Sequence, residues 1–324
     1  MAKKVIGIEI GSDSVKLALC SGGQVLAVYP KRLPEHLVRE GRITAPEAMV
    51  QILAEMRKEN KLPKCPAALI LPGQSVIGSI FTMPLMTIKE LELNLPFEFR
   101  DYVGPDGSKY RYDYVVRSVD TDTNQMEIYG AAVRMEVIDQ YYDMLKKAGF
   151  TLAVAIPAEM AWQNILAMSE DHPKELCVLD VGHTSITVSI YANGNYMMGK
   201  VIEMGCTLID ETISAETKQD VHVCRTYRES NMNNIQSADV CLDAYGTIAV
   251  EVMKVVNFYG YQTPGSDLQD IYFCGGGSAI EPLREAIQKA TGMNMHHINR
   301  LVPGTFEDNN TLLCATAVGA GIQQ

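Results

Sequence analysis

Two stretches of the chain carry the residues best suited to chemistry. "VIGIEIGSDSVKLALCSGG" begins at Val5, and "LCVLDVGHTSITVSIYANGN" begins at Leu176. Each places a single carboxylate, Glu9 or Asp180, two residues before a glycine, Gly11 or Gly182. Such a pair suits polyphosphate. Phosphate oxygens need backbone N–H donors at close approach, which glycine turns allow. They also need neutralising charge, and hard Mg²⁺ prefers carboxylate oxygens and water. If the two turns face each other, Glu9 and Asp180 converge on one Mg²⁺ through water, and Lys16 reaches a phosphate as a point charge.

A lone glycine at either turn is an ordinary hairpin residue, and Lys16 alone is a solvated strand residue. The register gives them meaning. Glu9 aligns with Asp180, Gly11 with Gly182, Ser14 with Ser185 and Gly23 with Gly194, each pair 171 positions apart (180 − 9 and 194 − 23). A fixed offset over about twenty residues suggests an internal duplication. Late in the chain "DIYFCGGGSAIEPL" reads as strand, glycine run and helix, with Gly275, Gly276, Gly277 and Ser278 at the connection.

The elements that must position these residues follow from pattern. Strands are expected at Val5–Ile10, Val15–Cys20 and Gln24–Val28, with Gly22-Gly23 as a tight turn. "TAPEAMVQILAEMRK" is a helix, with Thr44 as N-cap and Glu47 at the capping-box position. Ala67–Leu71 is a short buried strand. From Ser75 to Ala132 the texture changes to a small α+β insert. There "FTMPLMTIKELELNLPFEFRDYVG" is a helix framed by Pro84 and Gly104 and interrupted at Pro96. "VIDQYYDMLKKAGF" is an amphipathic helix stopped by Gly149. The second hairpin leads to a helical region, roughly Leu208–Tyr259, then to the glycine run and a last helix, "TLLCATAVGAG".

Composition narrows the class. The net charge is −11 over 324 residues, which sets against nucleic acid and anionic membrane surfaces as partners. Met1-Ala2-Lys3-Lys4 precedes a run too short and too broken by Glu9 and Gly11 for a signal peptide. No stretch approaches a membrane span, so the expected place is the cytoplasm without direct membrane insertion. Eight cysteines contain no CxxC pair, and six histidines no helix-spaced pair, so buried free thiols and no zinc site are expected.

The combined motifs "EIGSDS", "DVGHTS" and "CGGGSAI" resemble the two phosphate loops and the adenosine loop of the actin-like ATPase superfamily. "PAEMAWQNILA" and "TLLCATAVGAG" match its two connecting helices. Within it, "IEIGSDSVKLAL", "MPLMTIKELELNLPFEFRDYV" and "GAAVRMEVIDQYYDMLKKAGFTLAVAIPAEMAW" are similar, in order, to the PilM family of type IV pilus assembly proteins, relatives of the division protein FtsA.

The resemblance implies an α/β actin-like ATPase fold: duplicated ribonuclease-H-like domains flanking a nucleotide cleft, with a small α+β insert in the first half. The implied boundaries are 1–74 and 133–157 for the first domain, 75–132 for the insert and 158–324 for the second, with a helical part at about 208–260. It implies ATP and Mg²⁺ as cofactors. Gly11, Ser12, Asp13, Lys16, Gly182, His183 and Thr184 would contact phosphate. Gly275, Gly276, Gly277, Ser278 and Arg228 would contact adenosine, and Glu9 and Asp180 would hold the metal through water. It further implies an adaptor that binds the cytoplasmic N-terminal tail of a PilN-like membrane protein. Other pilus platform or motor proteins are expected partners, and self-association is open. Phe97, Phe99 and Tyr102 of the insert would offer the tail an apolar groove, or else form the insert's own core.

The sequence departs from that pattern in two places. Near Pro157 and Glu159, efficient relatives orient a water, and phosphoryl transfer to water needs such a group. In "CRTYRESN", Arg228 stands for a lysine near the ribose, with no acid in the expected place. Nucleotide binding with slow hydrolysis at most is therefore expected. A sugar kinase of the same fold and an FtsA-like polymerising protein are the alternatives. The first lacks a convincing catalytic aspartate in its "GxxD" context. The second lacks, in "AVGAGIQQ", a basic amphipathic anchor.

Overall fold

The computed structural model describes residues 3–169, 171–302 and 309–322. Met1, Ala2, Gln323 and Gln324, which enter the readings of the two ends, lie outside them. The chain opens with an antiparallel meander: β1 (Lys4–Ile10), β2 (Ser14–Ser21) and β3 (Gln24–Arg32). A short ladder, β4 (Val38–Arg39) and β5 (Arg42–Ile43), leads into α1 (Pro46–Glu59) and β6 (Pro66–Ile70). Next come β7 (Val76–Pro84), α2 (Ile88–Glu98), α3 (Arg100–Val103), β8 (Tyr110–Asp120) and β9 (Gln125–Arg134). α4 (Met135–Lys147), β10 (Thr151–Ile156) and α5 (Ala158–Met168) complete the first half.

The second half repeats the plan. β11 (Glu175–Val181), β12 (Ile186–Ala192) and β13 (Asn195–Ile202) form the second meander. α6 (Cys206–Thr217), α7 (Val221–Ser230) and α8 (Asp239–Gln262) follow, then β14 (Asp270–Cys274), α9 (Glu281–Thr291), β15 (Asn294–His297) and α10 (Asn309–Gly321).

The two large sheets have the same topology. Their orders are β3-β2-β1-β6-β10 and β13-β12-β11-β14-β15, with an antiparallel meander on one side and two parallel strands on the other. The hairpin loops agree as well. Gly22 and Gly23 have φ of 57° and 78°, and Asn193 and Gly194 have 50° and 76°, so both loops make the left-handed pair that suits a twisted hairpin. The same 171-residue offset thus governs turn, register and loop.

The sheets are bound through a shared core. Ala18 and Cys20 of β2, Trp162 and Ile165 of α5, Val178 of β11 and Ala317 and Val318 of α10 belong to one buried cluster. α10 comes so close to β1 that a Cβ on Gly7 would lie 1.8 Å from the Ala317 carbonyl oxygen. A third sheet, β7-β9-β8, carries α2 and α3 on one face, around Leu91, Leu95, Phe99 and Ile128.

Local chemistry altered two expected helices. α1 starts at Pro46 after Ala45 without a side-chain cap, because the Thr44 hydroxyl instead donates to the carbonyls of His36 and Leu37. "FTMP" belongs to strand β7, and the helix begins only after Thr87, which forms a capping box with Glu90. Pro96 lies inside α2, which ends two residues later at Glu98. None of the eight cysteines is in a disulfide, and Cys65 alone is less than fully buried. Among the described residues no helix is long and apolar enough to cross a membrane.

Candidate functional site

The two carboxylate–glycine turns face each other across a cavity of about 450 Å³, within the range of small-molecule sites. Gly11 N–H donates to the Ser14 carbonyl at 2.9 Å, and Gly182 N–H donates to the Ser185 carbonyl at 3.0 Å. The turns touch where the Thr184 hydroxyl meets the Ser12 hydroxyl at 3.3 Å. Each turn is tethered from behind. The Asp13 carbonyl accepts from Leu33 N–H, and the Gly182 and His183 carbonyls accept from the first amides of α6.

The floor is charged. Lys16 lies opposite Glu9 on the β1–β2 ladder and donates to its carboxylate. Burial pushes the Glu9 carboxyl up; Lys16 pulls it down, and Asp180 adds to the rise. Burial disfavours the Lys16 ammonium, but Glu9 and Asp180 overrule it and hold the lysine protonated. The second Glu9 oxygen, Oε2, is buried without a hydrogen-bond partner. Asp180 lies under Gly275, whose φ is +83° and whose absent Cβ would sit 2.4 Å from the Asp180 Oδ1. Only glycine fits there.

The far wall is α7. Arg225 donates to the Asp13 carboxylate at 2.7 Å and to Glu229 at 2.8 Å, and its guanidinium lies 3.4 Å from His183 Nε2. Arg32 of β3 reaches Glu229 at 3.0 Å. Burial alone would raise the Asp13 carboxyl, but the bond and charge of Arg225, with His183 and Arg32, hold it below the usual range. Burial and Arg225 lower His183, against the pull of Asp13 and Asp210.

Most of the expected residues meet here. Glu9, Gly11, Ser12, Asp13, Lys16, Asp180, Gly182, His183, Thr184, Arg228, Gly275 and Gly276 all border the cavity. Some expected roles change. The Asp13 side chain is an acid committed to Arg225, so any phosphate contact at this position falls to its backbone. Gly277 and Ser278 are buried behind the glycine turn, where the Ser278 hydroxyl donates to the Gly275 carbonyl at 2.6 Å. They shape the loop and do not line the cavity. Arg228 is 4% exposed and its guanidinium is held by both oxygens of Asp210, at 2.6 and 3.1 Å. Its charge is compensated within the protein.

Three charged wall residues lie outside the sequence reading: Arg32, Arg225 and Glu229. Glu229 belongs to "CRTYRESN", whose acid does not stand in the place the resemblance expects, yet it borders the cavity. Glu159 is not part of the cavity wall; its carboxylate accepts the Tyr129 hydroxyl. On the insert, Phe97 and Tyr102 are 60% and 54% exposed, whereas Phe99 is fully buried. The break after α2 turns the Phe99 ring inward, edge-on to Phe81 at 5.0 Å. Phe99 is therefore core and not part of a surface groove.

The sequence profile of a family described as type IV pilus assembly protein PilM matches residues 7–310. Among solved structures, the chain is similar to a PilM-PilN type IV pilus biogenesis complex, with a TM-score of 0.84, 21% identity and 99% of each chain covered. It is also similar to the ethanolamine utilization protein EutJ from Carboxydothermus hydrogenoformans (TM-score 0.62, 14% identity, 98% of this chain and 88% of that one). MreB 5 of Spiroplasma citri, bound to AMPPNP, gives a TM-score of 0.55 at 12% identity, covering 98% of this chain and 95% of that one. At such identities the likeness is one of fold, and the fold is that of the actin-like ATPases. No curated protein sequence matches the chain.

Proposed function

The chain belongs to the PilM family of type IV pilus assembly proteins, and from that premise we propose that it is a cytoplasmic ATP-binding adaptor. It binds nucleotide between the two large sheets. On its insert it grips the N-terminal tail of a PilN-like inner-membrane protein, which keeps it at the inner face of the membrane. Other platform or motor proteins of a pilus or related secretion machine dock on the same scaffold. The division follows the boundaries 1–74 with 133–157, 75–132 and 158–324.

The observation that carries the nucleotide reading is the pair of equivalent turns, each closed by its own glycine N–H and each carrying an acid, which face one cavity. Backbone donors of the turns hold phosphate, and Gly275-Gly276 admits the nucleoside. The donors present fit Mg²⁺ held through water. Glu9 keeps an orphan buried oxygen, and Asp180 faces the same floor. Among the described residues no group of three or more acid, His or Cys side chains is placed to cage a metal, so water and phosphate complete the shell. Mg²⁺ would neutralise the polyphosphate there.

Turnover is slow at most, because Glu159 points to Tyr129 and orients no water at the phosphates. For the tail, α2 offers Leu93 and Phe97 one turn apart and both exposed, and Tyr102 is exposed on α3. Calorimetric titration with ATP and Mg²⁺ tests the reading. One binding event with little ADP release is expected, and ADP release that depends on added sugar would mark a kinase instead.

A further inference from the structure

α7 carries three polar side chains on one face, His222, Arg225 and Glu229, spaced three and four residues apart. Each one reaches a residue of the first half. His222 Nδ1 lies 2.7 Å from Glu35 Oε1, Arg225 binds Asp13 at 2.7 Å and Glu229 binds Arg32 at 3.0 Å. Arg225 is the centre of the set, since it also holds Glu229 from within its own helix. The row runs along the mouth of the cleft and joins the two halves by side chains alone.

The charges in the wall leave a polyphosphate no spare cation. Lys16 already has Glu9, Arg228 has Asp210, Arg32 has Glu229 and Arg225 has Asp13. Beyond Mg²⁺ and the backbone amides, a tri-anionic or tetra-anionic ligand gains a protein cation by taking one of these from its acid. Lys16 and Arg228 are poor candidates, because each would abandon a deeply buried carboxylate. The Asp13 side chain is 26% exposed, so it can be rehydrated when it is released. It also stands on the first turn itself, where phosphate approaches. A guanidinium exchanges carboxylate for phosphate with little loss, since its fork fits both.

We infer that Asp13 and Arg225 form an exchangeable clasp: Asp13 holds Arg225 across the two halves, and a nucleotide's phosphate takes Arg225 from it and becomes the link between the halves. Arg225 is thus a phosphate-binding residue, and Asp13 is its internal competitor. The exchange rests on the reading of the cleft as a nucleotide site; the clasp itself does not.

Two variants that break the same ion pair then diverge. Hydrogen exchange on the nucleotide-free protein should show residues 10–14 and α7 exchanging faster in both Asp13→Asn and Arg225→Gln, with a cooperative melt retained by each. Arg32→Gln, which removes the pair with Glu229 and a longer 3.7 Å contact with Asp13, should loosen α7 in the same way. In ATP–Mg²⁺ titrations Asp13→Asn should bind about three- to tenfold tighter, its competitor being gone, and Arg225→Gln about tenfold weaker or worse. Unchanged exchange in both Asp13→Asn and Arg225→Gln would overturn the clasp. If wild type binds ATP and both variants weaken it alike, the exchange is wrong while the nucleotide site stands. If wild type binds no ATP, the exchange falls together with the nucleotide reading.

Discussion

Glu9 and Lys16 face one another across the β1–β2 ladder and form an ion pair on the floor of the cleft. At the equivalent place in the second hairpin, 171 residues on, Asp180 faces Thr187. The duplication therefore supplies two acids and one built-in cation. Lys16 neutralises one acid, and on the proposed reading Asp180 would supply the charge for a second, hydrated cation. The asymmetry gives the site its polarity.

Glu9→Gln should separate the metal's share of binding from the rest. The amide keeps the size of the carboxyl and can still accept from Lys16, but it no longer attracts a hydrated cation. ATP affinity in the presence of Mg²⁺ should fall about tenfold, while the fold is kept. Titrations with Mg²⁺ and with chelator give the comparison, and an Mg²⁺-dependent increment equal to wild type would refute the role of Glu9.

Gly275→Ala and Gly276→Ala should behave differently although they are adjacent. At Gly275 the backbone is left-handed and the new Cβ would collide with Asp180. The backbone strain alone costs about 1–2 kcal/mol, and the displaced carboxylate should weaken nucleotide binding. At Gly276 the nearest atom to a Cβ is 4.0 Å away, so urea unfolding should show little change. Equal losses in the two variants would contradict this account of the turn.

His183 should make stability fall on the acid side of neutrality. Burial and Arg225 lower its folded-state affinity for a proton below the ordinary one, so the unfolded chain protonates first as pH drops. The stability is fully present above about pH 6.5 and is lost as pH falls below it. Asp13 and Glu229, both held low in the folded state, act with the same sign but only below about pH 4. Melting temperatures between pH 7.5 and 5.5 should fall in wild type, and the slope should flatten in His183→Gln.

The insert separates a surface role from a core role within three residues. Phe97→Ala should leave stability within about 0.5 kcal/mol while weakening capture of a tail peptide. Phe99→Ala empties the insert core and should cost about 3–5 kcal/mol. Thermal melts paired with peptide binding distinguish the two, and a Phe97→Ala variant that binds the tail like wild type would remove this face from the interface.

The duplicated hairpins were legible in the sequence because strand alternation, the glycine turns and the paired acids all kept one offset. Glu9, Gly11, Asp180 and Gly182 therefore fell where the spacing put them. Arg225 was not legible. Its partner Asp13 is 212 positions away, and nothing in "VHVCRTYRES" tells which helix face meets the first half. For Phe99 the sequence leaves groove and core both open, and local structure decides for the core. The helix ends after Pro96, so the phase that aligns Phe97 with Leu93 does not continue to Phe99, whose ring turns into the core. Ser278 looked like a ligand contact by position, yet its hydroxyl is consumed by the Gly275 carbonyl.

The central claim is an adaptor whose hold on a membrane protein's tail answers to nucleotide. Its most direct test is the titration of a PilN-like cytoplasmic N-terminal peptide into the purified protein, with and without ATP and Mg²⁺. The account predicts saturable binding in both conditions, with an affinity that shifts when nucleotide is present and, by linkage, an equal shift of nucleotide affinity when the peptide is present. A peptide that fails to bind under either condition would contradict it.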